Sequence, residues 1–445
     1  MIQLPPGFVE DMSRQLPAGE LTAFLRSYEQ TYVRGLRLNA RKMPADPASV
    51  DGLLEPVPWE TDARYLAVDS TAGAHPLHEA GAYYIQEPSA MIPVAALDPR
   101  PGETVLDLCA APGGKTTQIA ARMAGEGLLV ANEPVPKRAQ ILSRNVERMG
   151  VMNALVVSAM PRQLALRWQE GFDAVLVDAP CSGEGMFRRH AETRGEWSVE
   201  HRDGCAGRQL EILSSAAEMV RPGGRMVYAT CTFSRTENED VIAAFLASHP
   251  EFGTEAFSLP GVAAPSGMLT CYPHRMKGEG QFACLLRRDG DAVRRLAPDT
   301  SLPGPDKAQL AALRAFCPGA PQPTALLGDT LLSLPGCPDV RGLRVLRAGV
   351  HLGMMRGRVF QPDHAWAMCE NAPEMPRVAL TEAQALRYQA GEAIEVESAP
   401  RGFVLPTLGG LVLGWGKVSD GVMKNHYPKG LRRVVAQGIH DGAEF

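Results

Sequence analysis

At 445 residues, with 45% hydrophobic and 21% charged residues, the chain has the composition of a water-soluble protein of two or three domains. A net charge of -5 excludes a uniformly basic nucleic-acid binder, although a local basic face remains compatible with it. Nine cysteines without a Cys-x-x-Cys pair exclude a zinc module and a thioredoxin-type motif, and predict reduced thiols and no metal. The opening Met1-Ile2-Gln3-Leu4-Pro5-Pro6 lacks a basic or apolar leader pattern. No apolar run reaches membrane-spanning length, so a cytoplasmic protein without membrane contact is expected.

In chain order, Phe8, Met12, Leu21, Phe24, Leu25 and Tyr28 recur at helical spacing and predict one or two amphipathic helices. Residues 35–39 alternate like a half-buried strand, with Arg34, Arg37, Arg41 and Lys42 close by. These four cations read as the solvated face of a small α/β cap or as an RNA-facing surface, and the charge pattern favours the former. Pro44, Pro47, Pro56 and Pro58 mark a connection, and Gln86-Glu87-Pro88-Ser89 opens a short helix.

From Gly102 strands alternate with helices, which calls for a parallel, doubly wound α/β sheet. The predicted strands are 104–108, 128–132, 154–157, 174–177 and 225–229. Helices are predicted after Gly114 through Met123, from Pro136, around 210–213 and over 237–247, with a closing hairpin that includes 282–286.

The first strand runs into Cys109-Ala110-Ala111-Pro112-Gly113-Gly114-Lys115-Thr116. A P-loop would need glycine at position 109, and the dinucleotide pattern G-x-G-x-x-G is missing. What remains is a tight turn for a ligand without a pyrophosphate. Glu133 ends the second strand, where a ribose acceptor sits in such folds. A nucleoside without pyrophosphate points to S-adenosylmethionine, with another α/β protein carrying a glycine turn left open.

The fourth strand ends in Asp178-Ala179-Pro180-Cys181-Ser182-Gly183-Glu184-Gly185 and the fifth in Thr230-Cys231-Thr232. Strands four and five are neighbours in a methyltransferase-type sheet, so Cys181 and Cys231 would converge on one crevice beside Asp178. One strand-end cysteine is more often core than catalytic. Two beside an acid suit covalent chemistry on a pyrimidine. A thiolate adding at carbon 6 of cytosine makes carbon 5 nucleophilic toward a methyl sulfonium, after which the carbon-5 proton and the thiol must leave.

With these words in hand, the chain resembles the Nol–Nop–Sun family of RNA cytosine-5 methyltransferases. The matching stretches are 107–115, 178–185 and 230–232, extended by Trp197-Ser198, 209–213 and 278–280. Residues 413–417 and 424–432 are similar to the tail of the bacterial RsmF branch, so the likeness covers most of the chain and is weakest over 289–336. The resemblance implies a Rossmann-like methyltransferase sheet, a small N-terminal α/β domain and a C-terminal, mostly-β, PUA-like RNA-binding region. It implies Cys231 as nucleophile and Cys181 as the group assisting elimination, whereas DNA cytosine-5 methyltransferases attack with the Pro-Cys cysteine. Asp178 and Lys115 complete the implied catalytic set. The implied cofactor contacts are Cys109, Ala110, Ala111, Pro112, Gly113, Gly114 and Lys115 for the methionine moiety, Glu133 for the ribose, and Arg138 and Asp178. Relatives often place an acid near the adenine after the third strand. Here Ser158-Ala159-Met160 stands there, so Met160 or another polar group takes that contact.

Beyond Asp289 the chain is rich in Pro, Gly and Ala; residues 345–353 read as strand and turn, and 403–405 and 411–415 as short strands of a small barrel. Lys417, Lys424, Lys429, Arg432 and Arg433, interleaved with Trp415, His426 and Tyr427, suit RNA backbone contact and base stacking, against a solvated charged edge as the alternative. The expected units are a cap over 1–80, a methyltransferase domain over 81–290, a linker and intermediate domain over 291–374, and an RNA-binding domain over 375–445. The expected activity is S-adenosylmethionine-dependent cytosine-5 methylation of RNA, foremost 16S ribosomal RNA, by a monomer. Transfer RNA as substrate, or a non-catalytic RNA-binding assembly factor, are the alternatives.

Overall fold

The computed structural model describes residues 3–42, 50–292, 296–299, 302–334 and 336–432. Pro44, Pro47 and Arg433 lie outside the described residues.

Helices Pro6–Gln15 and Ala18–Ser27 precede a four-stranded antiparallel sheet ordered Leu53–Pro56, Ala63–Leu66, Arg34–Leu38, Tyr83–Ile85. Prolines open both helices, and Phe8, Met12, Phe24 and Tyr28 form the stripe the spacing predicts. That stripe packs on Phe187, Trp197, Phe233 and Tyr272 of the next unit.

The central sheet contains β1 (Thr104–Asp107), β2 (Leu128–Asn132), β3 (Ala154–Ser158), β4 (Phe172–Asp178) and β5 (Val220–Thr230), followed by β6 (Phe252–Thr254), β7 (Met268–Cys271), β8 (Gln281–Arg288) and β9 (Arg344–Ala348). Its order is β6-β8-β5-β4-β1-β2-β3-β9, with β7 on β8. Strands β1 to β5 are mutually parallel, and their continuous apolar runs are buried on both faces by helices. Helices α1 (Gly114–Met123), α2 (Pro136–Arg148) and α3 (Val199–Met219) supply much of that cover. This is the expected Rossmann-like arrangement.

The run 344–348 was expected within a separate intermediate unit. Instead β9 pairs antiparallel with β3, from Arg344 against Ser158 to Ala348 against Leu155, and closes the open sheet edge. The neighbouring strands Ala325–Leu327, Thr330–Ser333, Val350–Arg356 and Val359–Pro362 make a second sheet. In place of a small barrel, Arg377–Ala379, Ile394–Glu395, Gly402–Leu408, Leu411–Val412, Gly416–Ser419 and Val422–Asn425 form a mixed six-stranded sheet, whose Arg377–Ala379 and Gly402–Leu408 run parallel.

Two readings of charge and aromaticity need correction. Arg34, Arg37 and Lys42 are partly or fully buried and form neither a solvated face nor an RNA surface, and exposed Arg41 is paired. Arg37 donates to Gln86 Oε1, Gly114 O and Thr117 Oγ1, Arg34 to the carbonyls of Val68 and Ser70, and Lys42 to those of Ala80 and Arg148, while Arg41 pairs with Glu370. At the other end, Trp415 and Tyr427 are 2% and 3% exposed, so they are core residues and not stacking platforms. Tyr427 completes an apolar cluster shared by the last unit and the cap, and Trp415 one shared by the two C-terminal units. Among the described residues, no helix is long and apolar enough to cross a membrane, and no group of three metal-ligating side chains gathers.

Candidate active site

Strand β4 ends at Asp178 and β5 at Thr230, and their parallel pairing brings Asp178 opposite Ala229. The loops that follow therefore leave the sheet side by side, and Cys181 Sγ lies 3.2 Å from Cys231 Sγ. The Cys181 thiol is raised well above its ordinary value, first by the hydrogen bond with Cys231 and then by burial. Lys115 Nζ, one residue into α1, donates to Asp178 Oδ2 at 2.7 Å. Burial opposes the Lys115 charge, yet the Asp178 carboxylate outweighs it and holds the ammonium above its usual range. The four residues assigned to catalysis thus meet in one crevice at the carboxyl edge of the sheet.

Two buried carboxylates brace the thiol loops. Glu237 accepts from Ser182 N at 3.0 Å, from Ser182 Oγ and from Gln209 Nε2 at 2.9 Å, and Ser182 Oγ in turn meets Thr232 Oγ1 at 3.0 Å. Glu184 accepts from Trp197 Nε1 and Phe233 N, both at 3.0 Å, and burial pushes its carboxyl up to about 7. Each cysteine is flanked by a residue tied to the other's loop, which holds the thiols together against a β-sheet that would otherwise let both loops drift. Gln281 Nε2 on β8 reaches Asp178 Oδ1 at 3.5 Å.

The glycine-rich turn has the form a close-approaching ligand needs. Gly113 sits at φ 117°, a left-handed conformation that disfavours a side chain, and α1 starts directly after it. Asn145 Nδ2 and Arg138 Nη2 clamp the turn through Pro112 O and Ala111 O, at 2.9 and 3.0 Å. Glu133, 2% exposed, accepts from Val135 N at 2.9 Å and meets Arg138 Nη1 at 3.4 Å, which leaves lone pairs on both oxygens for a diol. Arg138 thus bridges Glu133 to the turn. Burial pushes the Cys109 thiol far up and makes it an unreactive wall. Met160 is 60% exposed beyond β3, with its backbone N–H donating to Gln163 Oε1.

Asp107 is the residue that sequence reasoning passed over. It is fully buried at the end of β1, accepts from Thr116 Oγ1 at 2.7 Å on one oxygen, and has no partner on the other. Burial pushes its carboxyl up to about 7. A buried acid with an orphaned oxygen beside a glycine turn fits a ligand with a cationic amino-acid end, so the residues present match the expected cofactor. Glu184, Glu237 and Gln281 were also unassigned. An acid closing an apolar strand was the available signal for Asp107; the other three depend on long-range pairing.

Comparison with known proteins agrees with this architecture. The model of 16S rRNA methyltransferase RsmB/F matches residues 94–287, and that of the N-terminal domain of 16S rRNA methyltransferase RsmF matches 4–88. The RsmF first C-terminal domain matches 312–369 and the RsmF PUA domain 376–433. Ribosomal RNA small subunit methyltransferase F of Klebsiella pneumoniae (strain 342) is 31% identical, covering 97% of both chains. Its namesake in Enterobacter sp. (strain 638) is 32% identical, over 99% of this chain and 98% of the relative. A methyltransferase homolog protein from Pyrococcus horikoshii superposes with a TM-score of 0.54 at 27% identity, covering 64% of this chain and 100% of that one. NSun6 from Pyrococcus horikoshii, solved with SFG, superposes with a TM-score of 0.57 over 64% of this chain and 99% of its own; at 20% identity it speaks for the fold alone. With such relatives along almost its entire length, the chain belongs to the RsmF family of ribosomal RNA small subunit methyltransferases.

Proposed function

We propose that this chain methylates carbon 5 of a cytosine in 16S ribosomal RNA, through a covalent adduct between Cys231 and carbon 6 of the base. The observation that carries the proposal is the 3.2 Å approach of the two thiols beside the Asp178–Lys115 pair. Bound S-adenosylmethionine would supply an electrophilic methyl group. Residues 109–115, Glu133 and Asp107 would hold its methionine and ribose parts, with Arg138 bracing the turn and Met160 against the adenine. Cys231 adds to carbon 6 as the thiolate, its proton leaving to the neighbouring groups or solvent. Asp178, anchored by Lys115 and Gln281, accepts a hydrogen bond from the pyrimidine edge as ring nitrogen 3 takes up a proton from solvent, which neutralises the charge that thiolate addition delivers. After methyl transfer water takes the carbon-5 proton and the Cys231–carbon 6 bond breaks with its electron pair returning to sulfur, restoring the aromatic ring; Cys181 assists this elimination.

The family-model boundaries, at 88–94, 287–312 and 369–376, support a four-unit division. A cytoplasmic monomer matches this reading. Cys231→Ala should abolish methylation, whereas Cys181→Ala should accumulate a protein–RNA adduct on a denaturing gel with labelled RNA. An adduct that survives only in Cys231→Ala would reverse the two roles.

A further inference from the structure

A cleft of about 770 Å³ lies where all four units meet. Its walls are His78 from the cap, Arg144 and Arg148 from α2, Arg356 and His364 from the first C-terminal unit, and His426 from the last. The acids along it are already engaged. Glu147 is bonded to Arg347 and to His364 Nδ1, and despite burial Arg347 holds its carboxyl down to about 2. Glu79 faces His78 at 3.2 Å, and Asp363 caps Ala365 N. The cations differ. Among the described residues, exposed Arg144 reaches only Gly430 O, at 3.2 Å, and exposed Arg356 has neither ion pair nor hydrogen bond. His364, its ring 91% buried by side-chain exposure of 9%, keeps an unpartnered Nε2 at the same wall. Helix α2 presents Arg144 to this cleft and Asn145 to the glycine turn, through Pro112 O, so the two sites share one rigid element.

We propose that this cleft is a second, phosphate-recognising RNA site, through which a single-stranded segment of the substrate passes with its phosphates on Arg144 and Arg356. The inference rests on the reading of the chain as an RNA methyltransferase. Guanidinium groups without an acid partner among the described residues favour phosphate, and the size of the cleft suits nucleotide units. Neither arginine lies in the unit matched as PUA, so the site is a property of the assembled chain.

The test uses the full chain carrying Arg144→Glu and Arg356→Glu, with Arg144→Gln and Arg356→Gln as a milder pair should the charge reversal fail to fold. A 16S ribosomal RNA fragment is titrated by fluorescence anisotropy across a salt series, beside S-adenosylmethionine binding by calorimetry. RNA affinity should fall about tenfold, with the salt slope reduced by about two, and the rise should appear in KM with kcat and cofactor affinity retained. Unchanged RNA affinity and slope in a variant of an otherwise active enzyme would overturn the site. So would loss of AMP binding with RNA binding intact, which would assign the cleft to a free nucleotide. A wild-type protein that neither binds nor methylates RNA would instead overturn the reading of the enzyme, which separates the two failures.

Discussion

Two basic runs, Arg34 to Lys42 near the start and Lys417 to Lys429 near the end, look alike as sequence and behave as opposites in the fold. In the first, Arg37 is 2% exposed and spans three acceptors from the cap to the glycine-rich turn. In the second, Lys417, Lys424 and Lys429 are exposed. The hairpin of Gly416–Ser419 and Val422–Asn425 alternates so that Val418 and Met423 face inward while Lys417 and Lys424 face out as directly opposed partners. Like charges opposite one another across a strand pair repel, and a phosphate between them removes that cost. The comparison teaches that a cation's role depends on which face of its strand meets another unit.

The sharpest way to break this contrast is Arg37→Met. It leaves Gln86 Oε1 without its donor in a buried setting and Gly114 O with Thr117 Oγ1 in place of two side-chain donors, and about 3 kcal/mol of stability should be lost in denaturant unfolding. Cofactor affinity should fall with it, because the guanidinium donor to Gly114 is gone. A loss below about 0.5 kcal/mol would mean the cap is not held in this way.

A second test concerns Asp107, the buried acid of the same crevice. Its carboxyl stands at about 7 in the folded protein against 3.8 for the ordinary group, so the folded state binds more protons between these values. The stability it contributes is present below pH 3.8 and lost as pH rises through about 7, at up to about 1.4 kcal/mol per pH unit. Asp107→Asn should flatten that component of the stability–pH profile of the cofactor-free protein. An unaltered slope would show that the carboxyl is solvated.

The smallest effect on stability belongs to the second run. Lys417→Gln with Lys424→Gln should leave the unfolding temperature unchanged or slightly higher, within about 0.5 kcal/mol, since it removes an opposed like-charge pair. RNA affinity should weaken several-fold with a shallower salt dependence. Equal RNA binding would assign these lysines to a solvated edge and erase the difference from the first run.

The motifs of the candidate site were legible because each is local: an apolar strand, a sharp turn and a polar or thiol group at its exit. Residues 104–116, 172–185 and 225–232 carry strand and turn chemistry within a dozen neighbours, and the β/α alternation orders them. The bracing of the thiols by Glu184 and Glu237 was not legible, because Glu237 stands 55 residues from the Ser182 it binds. The edge strand β9 was read as a strand but not as part of the central sheet, since pairing with β3 is a register between distant segments. Trp415 and Tyr427 were misplaced for a related reason: aromatic residues among lysines look like an RNA surface until the alternation of each strand is set against what covers it.

What the sequence alone determined is therefore the kind of sheet, the glycine turn that leaves no place for a pyrophosphate, and the two cysteines at successive strand exits. These follow from backbone periodicity and turn sterics, which act over a few residues. Tertiary structure alone decided that the thiols meet at 3.2 Å, that Arg37 is a buried staple, that Asp107 carries an unmet oxygen, and that four units close a cationic cleft. Those outcomes depend on which distant groups are brought together and stripped of water, and desolvation is a property of the assembled fold.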